Sequence, residues 1–108
     1  MTNSDATLTW LGAAFGLMGP GWQGSFRVIH GGETATIVVR LSEAETEAIA
    51  RHLGQTKLDK RQAELILQHG GRELIEAALQ AFELPIEVRI VTTEATRGDD
   101  LRRWHVGR

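Results

Sequence analysis

Polar and apolar residues alternate over Thr7-Leu8-Thr9-Trp10, which predicts a short strand. The next stretch, Gly12 to Gly21, holds too many glycines for a stable helix, since each costs about 1 kcal/mol relative to alanine. It reads as a hydrophobic loop with room for one helical turn at Ala13 to Leu17. Its Phe15, Leu17 and Met18 must be buried against something or form an adhesive patch.

Between Trp22 and Leu41 the pattern predicts a β-hairpin. His30-Gly31-Gly32-Glu33 puts Gly-Gly at the two central positions of a tight turn, where positive φ is required. That turn fixes the register. Phe26 then faces Ile37, Val28 faces Ala35, Trp22 faces Leu41 and Gly24 faces Val39, all on one apolar side. The opposite side carries Gln23, Ser25, Arg27, Ile29, Thr34, Thr36, Val38 and Arg40 and is mostly polar.

Three helical segments follow. Ser42-Glu43-Ala44-Glu45 has the form of a capping box, with Glu45 placed to reach back to the Ser42 amide. The helix it opens carries Ala44, Ala48, Ile49 and Leu53 on one stripe and stops at Gly54. A second helix, capped by Thr56 or Asp59, is expected to run to His69, where Gly70-Gly71 break the chain. The third, Arg72 to Glu83, places Leu74, Ile75, Ala78, Leu79 and Phe82 at helical spacing before Pro85 ends it.

Ile86, Val88 and Ile90 then alternate with Glu87, Arg89 and Val91, which predicts a strand with one buried face. From Glu94 the composition shifts: Arg97-Gly98-Asp99-Asp100 reads as a turn or linker, and Leu101 to Trp104 as a single helical turn. Strands at both ends of a helical middle predict an α+β fold, a small antiparallel sheet with about three helices on one face. Residues 1–93 form the expected domain, and residues 94–108 a charged C-terminal tail, free or docked.

Composition narrows the function classes. The 108 residues carry 12 Lys and Arg against 14 Asp and Glu, so no global positive field draws the chain to nucleic acid or a membrane. The absence of cysteine excludes disulfides, thiolate metal sites and cysteine catalysis, and suits a reducing compartment. The apolar run from Trp10 to Trp22 is too short and too glycine-rich for a membrane span. It also lacks the basic flank of a signal peptide. A cytoplasmic, bacterial-type protein is the default expectation.

Local catalytic signatures are missing from the pattern. His30, His52, His69 and His105 are far apart in sequence and at the ends of different elements, unlike the paired ligands of a metal motif. Ser4, Ser25 and Ser42 fall in a tail, a strand and a helix cap, and no phosphate-binding glycine motif occurs. No catalytic residue, metal or cofactor is assigned.

Two features suggest binding. The first is Leu65 to Ile75, which loosely resembles a helix-hairpin-helix, the family in which a glycine-containing turn presents backbone amides to a phosphate. That resemblance implies an anion or nucleic-acid contact at Gly70, Gly71 and Arg72, on the free amides of a helix N-terminus. The family's Pro-Gly-hydrophobic-Gly turn is absent, and Glu73 follows at once. The second feature is the C-terminal group Arg97, Arg102, Arg103, Trp104, His105 and Arg108, the one basic concentration in the chain. Trp104 beside two arginines is a composition favoured at interfaces.

The leading expectation is a small non-enzymatic binding or regulatory module acting through protein–protein contacts and associating with itself as a homodimer or higher homo-oligomer. Phe15, Leu17, Met18, Arg102, Arg103 and Trp104 are its candidate partner-binding residues. Apolar residues exceed what a small sheet and modest helices can cover, and a terminal strand with one neighbour leaves an edge for a second copy. One alternative is a nucleic-acid-binding protein using the turn at 69–73 and the basic tail. Another is a small enzyme with a dispersed His/carboxylate site in a pocket.

Overall fold

A computed structural model describes residues 6–16 and 20–107. β1 (Thr7–Phe15), β2 (Trp22–His30) and β3 (Glu33–Leu41) form an antiparallel meander. α1 (Glu43–His52), α2 (Lys60–Leu65) and α3 (Gly71–Gln80) follow. β4 (Glu87–Arg89) and α4 (Arg97–Arg103) complete the order. The sheet order is β1-β2-β3-β4. The α+β class is as expected, but β4 runs parallel to β3, so the sheet is mixed rather than antiparallel. A helical crossover between neighbouring strands permits that direction, whereas a tight hairpin does not.

The hairpin has the expected register throughout: Trp22 pairs with Leu41, Phe26 with Ile37 and Val28 with Ala35. Gly31 and Gly32 sit at φ of 60° and 84°, the conformation a two-residue turn demands. Phe26, Val28, Ile37, Val39 and Leu41 are buried beneath the helices, with Ile49, Ile66, Leu67, Ile75 and Ile90 against them. β1 is longer than the four residues expected. A bulge between Trp10 and Gly12 absorbs Leu11, and pairing to β2 resumes from Gly12 to Phe15 in place of the predicted loop. Trp10 meets Phe26 edge-on at 5.1 Å.

Gly70-Gly71 do not break the helix. α2 passes through a π-helical turn, Ile66–Gly70, straight into α3, with both glycines in right-handed helical conformation. Their small size serves close packing. A Cβ on Gly71 would lie 2.7 Å from Val39 Cγ2 and 3.2 Å from Phe26, and one on Gly70 would lie 2.8 Å from Ile90 Cδ1 and 3.1 Å from Trp104. The helix therefore lies directly on the sheet and on the C-terminal tryptophan.

Ser42 caps α1 by accepting from Glu45 N–H at 3.1 Å, but the return bond of a capping box is not made. The Glu45 carboxylate instead accepts from Thr92 N–H at 3.0 Å and from the Thr92 hydroxyl, while Arg97 Nε donates to that hydroxyl at 2.9 Å. The reciprocal box belongs to α2, between Asp59 and Gln62. Thr92 is buried, so Glu45→Ala would leave its N–H without a partner at a cost of about 2 kcal/mol. A lowered urea midpoint with unchanged slope is the expected result.

Residues beyond Glu94 join the same core. Arg97 to Asp100 is the first turn of α4, not a linker, and Leu101, Trp104 and Val106 are buried in the main cluster. Several apolar positions expected inside are outside, Ala44 and Leu74 among them; the most exposed are Phe82 at 89% and Ile86 at 82%. Phe82 lies past the end of α3 at φ 60°, so it has left the helical face that its spacing suggested. Ile86 precedes the three paired residues of β4 and extends beyond the helix cover.

Candidate functional site

No helix N-terminus exists at Arg72, because the chain is already helical there. The Gly71 N–H bonds to the carbonyls of Leu67 and Gln68, and both glycines are buried. The free amides expected at Gly70 and Gly71 are thus absent, a correction that follows from their tight packing on the sheet. Arg72 is occupied structurally: its guanidinium stands 5.7 Å from the Phe26 ring centroid, donates to Leu8 O at 3.5 Å and approaches Glu76 at 3.9 Å.

Arg97, Arg102 and Arg103 of the basic tail are likewise engaged within the fold, and Arg108 lies outside the described residues. Arg103 grips Glu73 through two bonds of 2.8 and 3.0 Å and reaches Asp100 at 3.0 Å. Arg102 pairs with Asp99 at 2.8 Å. Trp104 is only 5% exposed, so it cannot serve as a surface anchor; burial in the core corrects that expectation. His105 meets His69 edge-on at 5.8 Å between ring centroids, a proximity that their separation in sequence concealed. Among the described residues, no three His, Asp or Glu side chains cluster as metal ligands.

Hydrogen bonds from Arg103 hold the Glu73 carboxyl below its ordinary range. A depressed carboxyl contributes stability above its unfolded value and loses it as pH falls through the folded one. Both side chains are substantially exposed, so the contribution is under about 1 kcal/mol. Arg103→Met is expected to flatten the acid limb of the stability profile, measured by urea unfolding at successive pH values.

A cavity of about 530 Å³ lies where β1 and β2 meet α1 and the loop before α2. Phe15, Trp22 and Leu58 form its apolar wall, with Glu43, Thr46 and Glu47 on α1 beside them. No histidine lines it among the described residues, so it lacks the His/carboxylate pairing expected of an enzyme pocket. Phe15 is 61% exposed and touches Trp22 edge-on at 5.2 Å. Leu17 and Met18, the other apolar candidates of this segment, lie outside the described residues.

The uncovered apolar surface is concentrated elsewhere. Ile86 and Val91 (74% exposed) flank β4, the three-residue strand at one edge of the sheet, and Phe82 lies just past the end of α3. Sequence reasoning missed this region because it assigned Phe82 and Ile86 to buried faces. One available signal was Val91, which interrupts the alternation immediately after Ile90. β1 and β4 each pair with one neighbour in the sheet, leaving an outer edge.

Comparison with family models, with curated proteins and with solved structures finds no match for this chain. No helix among the described residues is long and apolar enough to cross a membrane.

Proposed function

We propose that this chain is a small binding module that acts through protein–protein contacts and associates with itself, with no catalytic step of its own. The observation that carries the reading is exposed apolar surface. Phe15, Phe82, Ile86 and Val91 are each more than 60% exposed in a chain that has folded a complete core elsewhere. Single exposed apolar residues are ordinary, but bulky ones beside an open strand edge favour association.

Phe82 adds a conformational point. A left-handed residue after a helix is where glycine serves folding best, and phenylalanine there is disfavoured by about 1 kcal/mol. Burial does not compensate, since the side chain is in solvent. A partner contact would.

Purified protein studied by sedimentation equilibrium at tens of micromolar is expected to show a mass above the monomer that falls on dilution. Capture from a lysate with and without nuclease separates a protein partner, which survives nuclease, from nucleic-acid bridging, which does not.

A further inference from the structure

We infer that the self-association proposed above runs through β4, which pairs antiparallel with β4 of a second copy about a twofold axis at Val88. The inference rests on the self-association reading and adds its face, register and partner groups.

The backbone fixes which groups are available. Ile86 O accepts from Val38 N–H at 3.0 Å, and Ile90 N–H donates to Arg40 O at 2.9 Å. Alternate residues of β4 therefore bond inward to β3, and the N–H and C=O groups of Glu87 and Arg89 point to the open edge. A twofold axis at Val88 sets Glu87 of one copy opposite Arg89 of the other, and Arg89 opposite Glu87. Each such pair exchanges both backbone bonds, so all four outward groups on each copy are satisfied at once.

Charge selects the same register. Antiparallel pairing of Glu-Val-Arg with itself about its central residue puts opposite charges across from each other twice. Glu87 is already held low by Arg40, at 3.0 Å, and by Arg89, so it enters the pairing as a carboxylate among cations. In this register Ile86 lies opposite Ile90 of the second copy, and Val91 opposite its Pro85. Two exposed apolar side chains are thereby covered at each end. A two-copy sheet of eight strands results, ordered β1-β2-β3-β4 and then its reverse.

The test uses three variants, each checked for folding by circular dichroism and thermal melting. Arg89→Glu sets acid against acid across the twofold, and Glu87→Arg sets base against base. Each alone is expected to weaken dimerisation at least about tenfold in sedimentation equilibrium. An equimolar mixture of the two restores both opposite-charge pairs, and recovery of the heterodimer supports the register. Should Glu87→Arg fail to fold without its Arg40 pair, Arg89→Pro serves. It removes an outward N–H, leaves the bonds to β3 intact and is expected to yield monomer. Wild-type dimers that persist in Arg89→Glu and Arg89→Pro would overturn the β4 register while leaving self-association standing. A wild-type monomer at tens of micromolar would overturn both.

Discussion

Trp104→Ala is expected to destabilise the fold by about 3 kcal/mol, the lower part of the range for deleting a buried aromatic ring. Trp104 is 5% exposed and belongs to the main core cluster. Its ring fills the space left by the missing side chain of Gly70, and Arg103 lies over it at 5.5 Å. The buried indole N–H makes no hydrogen bond of ordinary geometry, yet it is one of the groups that hold the Glu73 carboxyl low. Equilibrium urea unfolding measures it directly. A change under about 0.5 kcal/mol would be the behaviour of a solvated tail residue, contrary to this packing.

Gly71→Ala reverses the sign that helix propensity alone assigns. In an exposed helix interior the change stabilises by about 1 kcal/mol. Here the new Cβ would meet both Val39 methyl groups, at 2.7 and 3.0 Å, and Phe26 at 3.2 Å. Val39 is β-branched and locked in the sheet, so it has little freedom to yield. Overpacking of about 1–3 kcal/mol outweighs the propensity gain and leaves a net loss of up to about 2 kcal/mol. A higher thermal midpoint in Gly71→Ala would show that the helix does not lie this close to the sheet.

What the sequence disclosed depended on whether the deciding interaction was local. The hairpin register was legible because Gly31-Gly32 is a turn with one geometry and the flanking alternation agrees with it. The Gly70-Gly71 pair looked like another stop, since glycine ends many helices. Its role is set by Val39, Ile90 and Trp104, which are distant in sequence. Glu45 shows the same limit: Ser42-x-x-Glu45 is a capping-box pattern, yet its carboxylate is taken by Thr92, 47 residues away. The second half of β1 was hidden by the bulge at Leu11, which interrupts the period-two pattern before pairing resumes.

The candidate site was less legible than the fold. Phe15 is exposed, one of the two outcomes its sequence left open, but it ends β1 rather than lying in a loop, and Arg103 and Trp104 owe their surroundings to Glu73 and Gly70 on the long helix. Periodicity placed Phe82 on the apolar face of α3 because pattern cannot show that the helix ends two residues earlier. Ile86 was placed inside by strict alternation, although the paired part of β4 begins only at Glu87. Surface residues of this kind leave little trace in a pattern dominated by burial.

Whether one chain binds another is the central claim, and solution mass as a function of concentration tests it most directly. Sedimentation equilibrium of the wild-type protein is predicted to give a mass near twice that of the 11.9 kDa chain at tens of micromolar, falling toward the monomer on dilution. A single species of monomer mass across that range would contradict the account.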